Sequence, residues 1–430
     1  MVARMFHSAV APQSVDAEPP ADAAPRRESE APLCRLLATE AFHAPDRAVF
    51  RDQPNREAWS GRPGRDWSAA ATYDSVIRLS SCFTSLGLSP GTRVGICLAG
   101  AAEVALALLA AERSGLIPFL LPVGLEADAL ARTVESASIQ AAITQTFIGD
   151  ERPAELLCAV AACYFPLRFL MAFGPGVPDG VVDLDRVLAE RRERHLPQPR
   201  LRVAEAGLAT LSRRSSERRF VFRPFSSLIA AAAATLGPAR VRPEHRILSL
   251  LAPDDLRGLT VGPIAALISG AVLEHHGIFD GAALLSSLEA PCPTHLVAPG
   301  WMEPALARLD LPPSLVSVIL IHDAPVRFRA TMELKGRVVD VLAFDEMALI
   351  SGARTSNGLF ALSLEPAGGR VAGDLLRVRL DEGRIVSFSG PAAQAGGIEG
   401  GSLPDLTDAT RWRSSGYKAD LFAGMIIGVS

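Results

Sequence analysis

The chain has 430 residues, 49% of them apolar, with 43 Lys and Arg against 47 Asp and Glu for a formal charge of −4. Charge this evenly balanced excludes a protein built around a polyanion, whether nucleic acid or an anionic membrane surface. With a mean hydropathy of +0.23, a chain of this length buries a large core divided among two or three lobes. The six cysteines, Cys34, Cys82, Cys97, Cys158, Cys163 and Cys292, form no CxxC pair. They are expected as buried thiols in a reducing compartment, with Cys158 and Cys163 as a rival metal or disulfide pair.

Residues 1–32 are rich in Ala, Pro and charge and hold no apolar run of signal-peptide length. A disordered lead-in to a cytoplasmic protein is the expectation. "TYDSVIRLSSCFTSLGL" then places Val76, Leu79, Phe83 and Leu86 on one helical face, with Thr72 as N-cap and Gly87 as stop. "SPGTRVGICLA" is a turn and a buried strand. In "AAEVALALLAAERSGLIPFLLP" the charges Glu103, Glu112 and Arg113 argue for a buried helix running into a strand, not a membrane span. Helix "ADALARTVESAS" and strand "IQAAIT" continue a βαβ rhythm, the pattern of a parallel sheet covered by helices on both faces.

From Leu211 to Leu228 runs a basic stretch, "LSRRSSERRFVFRPFSSL", with hydroxyl residues, arginines and a β-like "FVF". It has the cadence of a phosphate-binding loop but no glycine. After residue 225 helix and strand alternate again: "SSLIAAAAATL", "HRILSLLAP", "GLTVGPIAALISG", "AVLEHH", "GAALLSSLEAP", "THLVAP", "LVSVILIHDAPV" and "GRVVDVLAFDEM". From Gly352 the segments shorten into a β-rich pattern, and "PAAQAGGIEGGSLPDLTDA" is expected as a flexible surface loop. The predicted class is α/β: two lobes with parallel-rich sheets, 33–224 and 225–350, and a smaller β-rich lobe, 351–430.

In order and wording these segments resemble the large N-terminal domain of the AMP-dependent, adenylate-forming enzymes, which include acyl-CoA synthetases. The likeness rests on "HAPDRAVF", the Pro90-Gly91 turn within residues 72–122, "RILSLLAPDDLRGLTVGPIAALISGAVL" and "THLVAPGWMEPAL", and it runs from about residue 33 to the last. Laid on the family pattern, Leu211–Phe220 takes the place of the phosphate loop "TSG[ST]TGxPKG". Ser212 and Ser215 keep hydroxyls, Arg213, Ser216 and Phe220 replace glycines, and Arg219 replaces the lysine, with Arg214 and Arg218 alongside. Backbone N–H groups that close on phosphate often need φ > 0, which costs a residue with a Cβ about 1–2 kcal/mol.

Other stations of the pattern are altered too. "HDAPV" (His322, Asp323, Ala324, Pro325, Val326) stands where the family has "GGAPL" beside the acyl group and adenine. His322 and Asp323 are therefore expected to project into that space, as an acid–base pair or as a plug. "FDEMA" stands for "YGxTE": Phe344 would offer the ring for adenine, Ala348 falls on the metal-binding Glu, and Glu346 would reach Mg²⁺ only by a two-residue slip. Tyr417 stands where an Asp accepts from both ribose hydroxyls, a geometry a phenol cannot reproduce. Asp254 and Asp255, near the acyl pocket, are expected to be solvated, and His275-His276 to be packing or surface. The chain ends at Gly428-Val429-Ser430, on the family's hinge, so the small lid domain with its catalytic lysine is expected to be absent.

The resemblance thus implies a non-catalytic or strongly impaired homologue that binds an acyl or aryl ligand, a carrier protein or a partner enzyme, with no cofactor. One alternative is an ATP- and Mg²⁺-dependent carboxylate ligase completed by a separate C-terminal domain. The other is a structural assembly subunit that uses the fold as a surface.

Overall fold

The structure, a computed structural model, describes residues 31–190, 206–214, 219–327, 334, 336–355, 369–370, 373–422 and 425–430. Its first sheet has eight strands in the order Val182–Asp183, Phe169–Phe173, Ala141–Gln145, Arg93–Ile96, Ile117–Leu120, Gly207–Leu211, Phe220–Pro224 and Gly396–Gly397. The first six run parallel. Phe220–Pro224 turns back antiparallel on Gly207–Leu211, so the basic stretch becomes the connection of a β-hairpin.

The second sheet also has eight strands: Ala348–Ala353, Arg337–Phe344, Leu315–Asp323, Thr294–Pro299, Arg246–Ser249, Val272–His275, Ala48–Asp52 and Asp66–Ser68. It is parallel except at its two edges. The lobe boundaries expected from sequence order are therefore crossed. Ala48–Asp52 and Asp66–Ser68 leave the first lobe to complete the second sheet. A third, antiparallel sheet holds Val326–Arg327, Met425–Val429, Arg413–Phe422, Ile385–Ser389, Arg377–Leu380 and Gly369–Arg370.

Helix Ala101–Ser114 packs on strands of both large sheets, and every residue of it except Arg113 is buried. The charges that exclude a membrane span have structural tasks here. The Glu112 carboxylate accepts the N–H groups of Leu33 and Cys34, the open first turn of helix Pro32–His43. Glu103 is enclosed between the guanidinium groups of Arg56 and Arg62. Burial opposes the Glu103 charge, yet Arg56 and then Arg62 outweigh it and hold its pKa down at about 2. Among the described residues no helix is long and apolar enough to cross a membrane.

Several local expectations need correction. The helix Ala69–Ser85 is capped by Ser68, whose hydroxyl accepts the Ala71 N–H, while the Thr72 hydroxyl donates back to the Ser68 carbonyl. Ser68 takes the role because strand Asp66–Ser68 ends there in extended backbone, one turn earlier than the apolar pattern begins. The helix predicted over 258–270 is two, Leu256–Val261 and Pro263–Ser269, broken at Gly262. The segment 391–409 is docked, not free: Ala392 and Ala393 are buried and Gly396–Gly397 pairs with the hairpin. All six cysteines are unbonded thiols; Cys34 and Cys97 are buried, but Cys163 is exposed.

Candidate functional site

A depression opens where the hairpin connection, the end of strand Leu315–Asp323, the turn after Arg337–Phe344 and strand Arg413–Phe422 meet. Two cavities share it. One, of about 380 Å³, is lined by Arg213, Arg214, Arg257, Asp323, Asp345 and Tyr417 among others. The second, of about 460 Å³, is walled by Leu250, Leu251, Pro299, Trp301, Ile321 and Val326 and shares Arg213, Arg257 and Asp323 with the first.

The hairpin connection is pinned by hydrogen bonds from its own backbone. The Ser212 N–H donates to the Arg219 carbonyl at 2.9 Å. The Asp345 carboxylate takes the Ser212 hydroxyl on one oxygen and the Arg213 N–H, at 2.9 Å, on the other. Arg213 extends its guanidinium to Asp255 at 3.1 Å and Asp254 at 3.7 Å. Arg214 lies 4.3 Å over the Tyr417 ring and donates to the carbonyls of Ser415 and Gly416. That approach leaves no room for a side chain at residue 416: a Cβ there would sit 2.7 Å from the Arg214 guanidinium, and Gly416 has φ +70°. Ser215, Ser216 and Arg218 lie outside the described residues. Arg219 is described, with its side chain at the exposed end of the connection.

Asp254 and Asp255 are not solvated. Both are buried, and Asp255 caps helix Leu256–Val261 by accepting the Gly258 N–H. Arg257 joins them, bridging Asp255 on one side and Asp323 on the other. Burial, then the neighbouring Asp255, pushes Asp254 up to about 6. The sequence expectation failed because dipeptide polarity says nothing of the guanidinium of Arg257, which folds back on Asp255, or of Arg213, which reaches both carboxylates from the hairpin.

Glu346 is completely buried, and one of its oxygens accepts the Thr210 hydroxyl at 2.6 Å and the Leu256 N–H at 2.9 Å. Burial, then Asp255, pushes its pKa up to about 8, so at neutral pH it carries a proton. Glu346 nonetheless lines the first cavity, and it would have to give up that proton to serve Mg²⁺, which favours ionised oxygens. Among the described residues no group of three His, Cys, Asp or Glu is placed to hold a metal ion.

The other predicted site residues divide. Ala324 and Pro325 line the first cavity. Phe344 does not: its ring is 1% exposed, edge-on to Phe388 and Tyr417, and serves as core instead of an open stacking face. His322 lines the second cavity but does not pair with Asp323. Its Nε2 meets Asp340 Oδ1 at 3.0 Å, and Asp340 is held by Arg354, which also binds Glu303. The ring lies against residue 300, where a Cβ would come within 2.3 Å of it, so glycine is required there. His275 and His276 are buried, bonded to the Leu251 carbonyl and to Glu274 and Ser287.

Sequence reasoning missed Asp345 and Arg223, while Arg257 was expected, with Leu256 as the alternative, near the place of the family's pocket histidine. Fully buried Arg223 donates to the Ser227 hydroxyl and to the carbonyls of Ala392, Glu346 and Met347. For Asp345 a signal existed: it replaces the glycine of the "YGxTE" pattern, and its φ of +50° keeps the left-handed backbone a glycine would supply.

Comparison with known proteins bears on the fold. Residues 45–168 match the AMP-binding enzyme family. A stretch of 125 residues is 32% identical to an acetyl-coenzyme A synthetase of Mycolicibacterium smegmatis, covering 27% of this chain and only 13% of that protein. Solved structures extend the likeness over nearly the whole chain. O-succinylbenzoate coenzyme A synthetase from Bacillus subtilis, in complex with ATP and magnesium, superposes with a TM-score of 0.68 at 14% identity, covering 92% of this chain and 78% of that one. An anthranilate CoA ligase in complex with anthranoyl-AMP gives 0.71 at 11% identity over 92% and 77%. MbtA of Mycobacterium smegmatis gives 0.69 at 17% identity over 93% and 75%.

The chain has the adenylate-forming fold. One of the solved relatives above holds ATP and magnesium; in this chain the described residues Ser212 and Arg213 are bonded within the protein. In this adenylate-forming fold the Ser212 hydroxyl and Arg213 N–H already serve Asp345, while Arg213 and Arg257 face Asp254, Asp255 and Asp323. A triphosphate would bring further negative charge to this ring of carboxylates.

Proposed function

We propose that this protein is a binding member of the adenylate-forming fold that holds an acyl or aryl group without activating it on ATP. The observation that carries the reading is the commitment of the Ser212 hydroxyl and the Arg213 N–H to the chain's own Asp345 carboxylate. The second cavity, lined by apolar side chains on one part and by Arg213, Asp255, Arg257, His322 and Asp323 on the rest, stays open beside them. Its walls, Leu250, Leu251, Ile321 and Trp301, suit a hydrocarbon or ring, and Arg213, half-exposed at its mouth, suits a carboxylate or thioester end. The ligands named for the solved relatives, the acyl-adenylate OSB-AMP and anthranoyl-AMP, are carboxylate-derived.

The test is pyrophosphate exchange with ATP·Mg²⁺ over a panel of aliphatic and aryl carboxylates, beside thermal-shift screening with the same acids and acyl-CoAs. No exchange is expected with any acid, and at least one apolar acid or thioester is expected to raise Tm. At a hundredfold excess over Kd such a ligand adds about 2.7 kcal/mol. The competing reading is a working carboxylate ligase, favoured by the loose ion pairs of Arg213, which leave its guanidinium free to turn toward phosphate. Exchange above background would establish that reading and end ours.

A further inference from the structure

We propose that the Asp345 carboxylate is a built-in stand-in for a phosphate group, seated in the remnant of an anion-binding loop. The inference rests on the reading above and identifies the residue that closes the loop. Four observations meet at this side chain. Its two oxygens divide two donors of different kinds between them, a hydroxyl from Ser212 and a backbone N–H from Arg213. That is how a tetrahedral oxyanion is held by a loop: several donors from one segment converge on adjacent oxygens of one anion. The Ser212 oxygen, having donated to Asp345, accepts the Arg214 N–H at 3.3 Å, so consecutive residues of the connection orient toward a single negative centre.

The backbone adds an independent argument. Asp345 is one of four non-glycine residues with positive φ among those described. Such a conformation is unfavourable for a residue with a Cβ, and Asp345 holds it at a place where the sequence pattern of the fold has glycine. The side chain must return more than the backbone costs, and its two charge-assisted hydrogen bonds do so. The carboxylate also lies in the same cavity as the guanidinium groups of Arg213, Arg214 and Arg257. The hairpin connection therefore keeps its taste for an anion and satisfies it within the chain.

Removing the acid should expose the site. Asp345→Gly restores the unstrained backbone and frees both donors; Asp345→Asn keeps the volume and the tolerance of positive φ but removes the charge. Binding of inorganic phosphate and pyrophosphate to the wild-type protein and both variants is measured by calorimetry at low salt. Alongside, hydrogen exchange at the Arg213 amide is followed, with the melting transition as the control for folding. The expected result is a gain in pyrophosphate affinity of about tenfold or more in Asp345→Gly, the scale of one charge-assisted hydrogen bond. A smaller gain is expected in Asp345→Asn, with faster Arg213 exchange in both and slowing restored by pyrophosphate.

Unchanged Arg213 exchange in folded variants would overturn the proposal, because the contact would then hold nothing. Faster exchange without any gain in pyrophosphate affinity would overturn it too, reducing Asp345 to a strut. Pyrophosphate exchange by the wild-type protein would instead refute the non-catalytic reading. The inference about Asp345 would still be decided by the Arg213 amide.

Discussion

Single side chains in this molecule are governed by who shares their low-dielectric surroundings. Glu346 shows the rule best. Its pKa is about 8 in the folded protein against an ordinary 4.5, first through burial and then through Asp255, with Asp345 adding to it. Below about pH 4.5 the acid is protonated in both states and costs nothing. As pH rises toward 8 the unfolded chain releases the proton while the folded protein keeps it, so stability falls over that window and the loss is complete above it. Glu346→Gln cannot titrate. Its stability relative to wild type should therefore be higher at about pH 8.5 than at about pH 5.5, by on the order of 2 kcal/mol or more. Urea midpoints at the two values check this; a gap that does not change with pH would show that Glu346 is ionised in the folded state. Glu103 runs the opposite way: held at about 2, it contributes stability that is fully present above about pH 4.5 and lost as pH falls from there through about 2.

At the level of elements, the short helix Leu256–Val261 decides where the charged cluster stands. Its start is set by Asp255, and Gly258 lets its first turn close on the preceding loop: a Cβ at 258 would lie 1.8 Å from the Ala252 carbonyl oxygen. No rotamer relieves a Cβ, so the loop itself must move. Gly258→Ala is expected to cost about 2–4 kcal/mol and to weaken binding of whichever acyl compound raises Tm, because Leu250, Leu251 and Ala252 wall the second cavity. Chemical denaturation and the same thermal-shift assay test both parts. Loss of stability with ligand affinity intact would detach this helix from the pocket. The second lobe's helices and strands were legible because periodicity and buried apolar runs are local signals. The break at Gly262 was not legible, since glycine alone does not say whether a helix bends, ends or continues.

The whole molecule is tied across its three sheets. Helix Ala101–Ser114 is shared by the two large ones. Arg223, in the first sheet's hairpin, reaches Glu346 and Met347 at the edge of the second and Ala392 on the approach to the third. Burial lowers its pKa to about 10, so it stays charged at neutral pH and its hydrogen bonds to carbonyls offset the lost water. Arg223→Met fills similar space but leaves those carbonyls unpaired in the interior. A loss of about 3 kcal/mol or more is expected, with the near-UV and far-UV transitions of the variant separating. For the wild type they should coincide as one cooperative event. Coincident transitions in the variant would mean that apolar packing alone couples the sheets.

The α/β fold class was determined by the sequence alone, because apolar periodicity and turn residues act over a few residues and leave their mark in order. The departures from the family's loop pattern were readable there too, residue by residue. Only the tertiary structure decided what those alterations accomplish. It brought Asp345 onto Ser212 and Arg213 across 133 and 132 positions of sequence, drew Ala48–Asp52 into the second sheet, buried Asp254 and Asp255 under arginines and turned Phe344 into core. Charge pairing and desolvation depend on distance in space, and a linear pattern carries no record of which carboxylate will meet which donor.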